Sequence, residues 1–226
     1  MNRRFALAAL PLLLLGLTGA TRPAARRPAP APASAPLPDT VRVAIRTDLG
    51  TIVADLDHAH APKTVENFVR YVDTRRLDGM IFYRAMRLAW GDQPNGLVQA
   101  GLRGDPRKVL KPVVHEATSQ TGLLHKAGAL SMARFAPGTA TADFSILLSD
   151  MPGLDADPAS PDPERRAGFA VFGRVVEGMD VVRKIWDSPL SPTKGDGVMK
   201  GQMLEPPVKV LTVRRVAVAA VEAPKP

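Results

Sequence analysis

Val41, Val43 and Ile45 alternate with Arg42, Ala44 and Arg46, the period-two pattern of a strand with one buried face. The pattern breaks at Asp48–Gly50 and resumes from Thr51 to Leu56, which predicts a hairpin. Pro62 follows where a helix accepts proline, in its first turn. Val65, Phe68, Val69 and Val72 then recur at i, i+3, i+4 and i+7 and form one apolar helical face. Glu66, near the start, suits the positive end of the helix dipole. Short apolar runs come next, at Met80–Ala85, Gly96–Ala100, Ala129–Ala133, Phe144–Leu148 and Phe169–Val176, separated by Gly and Pro. Gly178 ends the last run, and a second helix at about Met179–Trp186 turns Val181, Val182 and Ile185 inward. Val208–Val218 reads as the final strand. This order predicts an all-β fold with two helices, an antiparallel barrel whose open ends the helices cap. Closure removes the unpaired strand edges that an open sheet would present.

The ends of the chain read differently. Arg3 and Arg4 precede an apolar run from Phe5 to Leu17, and Thr18-Gly19-Ala20 supplies small residues at a cleavage position. The run is shorter than the ~20 residues that span a bilayer, so residues 1–20 are expected to be a cleaved signal peptide, with no stable membrane insertion afterwards. Residues 21–38, rich in Pro and Ala, read as an extended linker. The folded domain is expected over 39–218 and a disordered tail over 219–226. Residues Asp155–Arg166 hold three Pro, three Asp and no large apolar side chain, which predicts a surface loop.

The formal charge of +8 suggests a nucleic-acid binder at first sight. Five arginines and no acid fall in residues 1–38, leaving +3 for the rest, and no nucleic-acid partner is expected. The chain has no cysteine, which excludes disulfides, thiolate metal sites and cysteine nucleophiles. Glycine-rich phosphate loops, serine-hydrolase elbows and paired-histidine zinc motifs are also missing. His58 and His60 sit in a polar turn with no third ligand, His115-Glu116 lacks a second His, and His125 stands beside Lys126 in what reads as a short linker. No metal site is expected. From these residues alone the chain is an exported β-rich domain.

Five segments carry a resemblance that adds more. Ala61-Pro62-Lys63-Thr64-Val65-Glu66-Asn67-Phe68 resembles the first-helix motif of cyclophilins. Phe82-Tyr83-Arg84 is similar to their Phe-His-Arg or Phe-Tyr-Arg strand, and Val98-Gln99-Ala100-Gly101 with Gly104-Asp105 to their Gln-Gly-Gly-Asp segment. Gly128–Arg134 resembles Gly-x-Leu-Ser-Met-Ala, and Phe172–Met179 resembles Phe-Gly-x-Val-x-x-Gly-Met. The segments occur in the family's order and cover about residues 41–217. The resemblance implies a closed eight-stranded cyclophilin-like barrel and a peptidyl-prolyl cis/trans isomerase without cofactor.

The resemblance also implies roles. Arg84 matches the catalytic arginine and Gln99 the glutamine that orients it and the substrate carbonyl. Met132, Ala133 and Arg134 belong to the segment that binds the substrate backbone. Leu97, Leu154 and Phe169 stand at proline-pocket positions. Gly96 and Ser145 stand where the family carries Phe, and Asp143 where it carries a binding Gln. Partners are then proline-containing segments of exported proteins, met by a monomer in the periplasm or outside the cell. The smaller pocket residues leave open a peptide-binding module or chaperone with weak or no isomerase activity.

Overall fold

The computed structural model describes residues 36–217, so the expected signal peptide, most of the linker and the expected tail at 219–226 lie outside the described residues. The first alternating stretch folds as the antiparallel hairpin β1 (Thr40–Thr47) and β2 (Gly50–Asp57), with Val43, Ile45, Ile52, Ala54 and Leu56 fully buried. The first helix, α1 (Pro62–Asp73), has Pro62 in its first turn and buries Val65, Phe68, Val69 and Val72, as the spacing predicts. Its N-cap, Ala61, has no side chain that can accept a hydrogen bond. The remote Glu116 carboxylate accepts from the Lys63 and Thr64 amides (3.1 and 2.8 Å) and from Thr64 Oγ1 (2.7 Å). It thereby satisfies donors that every helix start leaves open. Glu66 lies beyond the first turn and instead pairs with Lys63.

Next come β3 (Ile81–Arg87), β4 (Gly96–Gly101), α2 (Thr118–Thr121), β5 (Ala129–Met132), β6 (Phe144–Leu147), α3 (Pro163–Ala167), β7 (Val171–Glu177), α4 (Met179–Asp187), β8 (Leu190–Ser191) and β9 (Met203–Arg215). The sheet order is β1-β2-β7-β5-β6-β4-β3-β9, and β1 pairs with β9 to close an eight-stranded antiparallel barrel. Strand β8 adds to β9 outside the ring. The two expected helices are α1 and α4, but the described residues contain four. The extra two are single short turns of four and five residues, too brief for an apolar period to reveal. One of them, α3, lies at the end of the expected Asp155–Arg166 loop, where Asp162 accepts from Glu164 N at 2.9 Å.

Inside the barrel Phe68 reaches from α1 to Phe144 and Phe172, with ring centroids 5.4 and 5.3 Å away, and Phe82 meets Phe144 at 6.4 Å. On α4, Val181, Val182 and Ile185 are buried, and the helix packs on β2, β3 and β4. The barrel is therefore filled by side chains, and any ligand must use its outer face.

One irregularity decides what that face carries. Along β3, Phe82 pairs with Ala100 and Arg84 with the adjacent Gln99, so Tyr83 is an extra residue in the ladder. Strict alternation would put Arg84 on the same side as Phe82, which is fully buried. The bulge resets the parity, so that Ala85 fills the core and Arg84 turns outward.

Candidate active site

Arg84 and Gln99 meet as cross-strand neighbours on β3 and β4. Arg84 Nη1 donates to Gln99 Oε1 at 3.0 Å, and Arg84 Nε donates to Gln202 Oε1 at 2.9 Å. Nη2 has no partner among the described residues. Burial lowers the Arg84 pKa from its ordinary value, but a guanidinium remains charged at neutral pH. The site thus holds a fixed cation with one nitrogen free.

Beside this pair lies a groove of about 420 Å³. Gln99, Ala133, Arg134, Phe135 and Asp143 line it, together with Gly195, Asp196, Met199 and Met203. A second depression, of about 490 Å³ over β2, β5 and β7, contains none of the expected site residues. Ala133 N donates to Asp143 O at 2.9 Å, whereas the amide and carbonyl of Arg134 make no hydrogen bond among the described residues. That leaves a short backbone edge open for an extended peptide.

The Arg134 side chain is committed elsewhere. Its guanidinium donates to Gly168 O (2.6 Å from Nη2) and Glu164 Oε2 (2.6 Å), and lies 4.6 Å from the centroid of the Phe169 ring. It braces the segment that carries Phe169. Asp143 is similarly occupied. Its Oδ1 accepts from the Leu102 and Arg103 amides (2.8 and 3.1 Å) and its Oδ2 from the Tyr83 hydroxyl (2.9 Å). Burial and the Asp143 charge push the Tyr83 pKa upward, so the phenol stays protonated and donates to the carboxylate. The carboxylate occupies the space above Gly101, where a Cβ would come within 2.1 Å of Asp143 Oδ1.

Six expected residues lie outside the groove lining: Arg84 (which adjoins it through Gln99), Phe169 and the four that follow. Ser145 sits between Gln99 and Ser131 in the ladder and faces outward with them, because Phe144 and Ile146 fill the core. Leu97 pairs with Leu147 and is 6% exposed. Leu154 ends a 3-10 turn (Pro152–Leu154), and its carbonyl accepts from Phe169 N at 2.9 Å. Leu97 and Ser145 thus share the outer face of the ladder with Gln99, and Leu154 lies outside the strands. Met132 corrects the expectation: its side chain is 2% exposed and belongs to the barrel core. Strand alternation sends Ser131 outward and Met132 inward, so Met132 contributes no side chain to a ligand. Gly96 is small for a structural reason. Its φ is +149°, and a Cβ there would lie 1.9 Å from Met86 O and 3.2 Å from Trp186 Nε1.

Two features escape the sequence reading. Gln202 has no motif around it. His125, read as a linker residue, has a fully buried side chain: Nδ1 is 2.6 Å from Asp155 Oδ1, and Nε2 is 2.8 Å from Ser131 Oγ. His125 N also donates to Asp155 Oδ1 (3.0 Å), and Met151 N donates to His125 O (2.8 Å). The histidine therefore ties the turn bearing Leu154 to β5. The signal available was weak, a His preceding a strand start and an Asp in a polar loop.

Burial lowers the His125 pKa below the ordinary 6.5, outweighing the opposing pull of Asp155. The unfolded chain then takes up the proton before the folded one does, so stability is intact above about pH 6.5 and declines as pH falls toward the lowered folded value. Denaturation midpoints at pH 7.5 and 5.5 should differ more for the natural protein than for His125→Gln. An equal pH response in both would show that His125 is not the group responsible.

Comparison with known proteins identifies the family. The model of the family described as Cyclophilin type peptidyl-prolyl cis-trans isomerase/CLD matches residues 42–215. The chain belongs to that family, and its activity is that of a peptidyl-prolyl cis-trans isomerase. It is similar to a peptidyl-prolyl cis-trans isomerase of Acinetobacter baylyi, 35% identical over 176 residues that cover 76% of this chain and 84% of that one. Peptidyl-prolyl cis-trans isomerase A of Dickeya dadantii is 36% identical over 150 residues, 65% of this chain and 71% of its own. Among solved structures, a cyclophilin type isomerase of Cryptosporidium parvum, crystallised in the presence of the dipeptide Ala-Pro, shares the fold. Its TM-score is 0.61 at 18% identity, over 78% of this chain and 99% of that one.

Proposed function

We propose that this isomerase acts on X-Pro bonds in segments of exported proteins, with Arg84 as the catalytic residue. The observation that carries the reading is the two-point hold on Arg84, which leaves Nη2 unpartnered while Gln99, one of its two holders, lines an open groove. Rotation about an X-Pro bond must overcome amide resonance, with a barrier of ~18–20 kcal/mol. At the twisted geometry the proline nitrogen regains its lone pair and accepts a hydrogen bond. A preplaced guanidinium stabilises that geometry more than either planar one, which is what lowers the barrier. No nucleophile, metal or cofactor takes part in such a step.

Gln99 orients Arg84 and stands where the substrate carbonyl would lie. The free amide and carbonyl of Arg134, next to Ala133, pair with the extended client backbone. Leu97, Ser145, Leu154 and Phe169 receive the proline ring, while Asp143 shapes the groove floor through Leu102, Arg103 and Tyr83. The crystallisation of the Cryptosporidium parvum relative with Ala-Pro supports a short proline peptide as ligand. A second reading, a peptide-holding module with little catalysis, draws on Ser145, whose small side chain leaves the proline patch shallow.

The charged and apolar pattern of residues 1–20 supports export, cleavage near Ala20 and action in the periplasm or beyond. Protein recovered from the cell envelope should begin between Ala20 and Ala25 by mass spectrometry and should isomerise an Ala-Pro peptide. An intact Met1 would make the segment an anchor. An inactive mature protein would favour the holding module.

A further inference from the structure

We propose that Gln202 is a positioning residue for Arg84, delivered by the loop between β8 and β9; the inference rests on the assignment of Arg84 as the catalytic residue. With Gln99 alone, the guanidinium would be held at Nη1 and could still swing about its Cδ–Nε bond. The second acceptor, at Nε, fixes the plane of the fork and leaves Nη2 as the one nitrogen with no partner among the described residues.

Gln202 is itself constrained. Its Nε2 donates to Val198 O at 2.8 Å, which obliges the amide oxygen to face Arg84. Its N–H donates to Met199 O at 3.0 Å, and its carbonyl accepts from Ala85 N at 2.9 Å, one residue beyond Arg84 on β3. The loop that presents it is folded against itself. Gly201 N donates to Lys194 O at 2.9 Å, Lys194 pairs with Glu205, and Leu190 and Ser191 form a ladder with Leu204 and Met203.

The same loop supplies Gly195, Asp196 and Met199 to the groove wall. One segment therefore both contacts the peptide path and holds the catalytic fork. A client seated against that wall and the placement of Arg84 depend on one piece of backbone.

The test compares rates and affinities on an Ala-Pro peptide in the full chain. Gln202→Leu removes the acceptor and keeps the backbone bonds. It should lower kcat by about tenfold to a hundredfold, the scale of a misplaced reacting group, with peptide affinity changed less than about twofold. Gln202→Glu keeps an oxygen at the same reach and should recover most of that loss. In an Arg84→Ala background, Gln202→Leu should cost less than about twofold further, because residues that act through one another are not additive. The inference is overturned if Gln202→Leu matches the natural protein, if Glu and Leu lose equally, or if the full loss persists without Arg84. An inactive natural chain would instead overturn the functional reading beneath it.

Discussion

Arg84→Ala is expected to lower kcat/KM for an Ala-Pro peptide by ~10²–10³-fold, the usual loss on removing one preorganised donor from a transition state. The peptide should bind almost as before, because the planar amide offers the guanidinium little and the twisted one offers it a lone pair. Arg84→Lys should recover only a small part of the loss. Lysine keeps the charge, but a compact ammonium cannot accept the two-point hold from Gln99 and Gln202 while leaving a third nitrogen free. The chemistry requires no proton transfer, so between about pH 6 and 8 the rate should change only through the stability effect of His125. Exchange rates and shift titrations on the same samples separate rate from affinity. A fully active Arg84→Ala protein would remove the catalytic assignment.

Phe68→Ala should cost about 3–5 kcal/mol of stability, the typical cost of emptying a buried aromatic site. Phe68 is 1% exposed and touches both Phe144 and Phe172, so its loss opens a cavity between α1 and two barrel strands. The helix crosses that end of the barrel and packs on β2 and β9, and the neighbouring rings are held by their own strands, which limits collapse into the space. Chemical denaturation should show the change as a lower midpoint with an unaltered slope. A loss below about 1 kcal/mol would mean that α1 is not the plug that the packing describes.

Most of the scaffold was legible because its elements obey simple periods. Val41, Val43 and Ile45, and the Val65–Val72 face of α1, bury as their spacing requires. The four-residue α2 and five-residue α3 were not legible, since neither is long enough to show a helical period. Arg84 marks the limit of pattern reading within a strand. Its direction depends on the Tyr83 bulge, a ladder property involving Gln99 and Ala100 that a one-dimensional pattern does not contain. At Met132 the alternation with Ser131 assigns the side chain to the core, so only the backbone of that motif position is left to meet a ligand. Gln202 and the His125–Asp155 pair were illegible because their partners lie 118 and 30 residues away. Asp143 lines the groove, and its commitment to two amides and a tyrosine follows only from the fold.

The central claim is that this groove accelerates X-Pro rotation as well as binding the peptide. Exchange NMR on a short Ala-Pro peptide, with the natural chain at a small fraction of the peptide concentration, tests it in one sample. Uncatalysed cis and trans forms interconvert over about tens to hundreds of seconds and give no exchange cross-peaks on a sub-second mixing time. The account predicts cross-peaks in the presence of the natural chain, lost with Arg84→Ala, together with amide shifts at Gln99, Ala133 and Arg134 in both proteins. The same amide shifts without any cross-peaks in the natural chain would contradict it and leave a peptide-binding barrel.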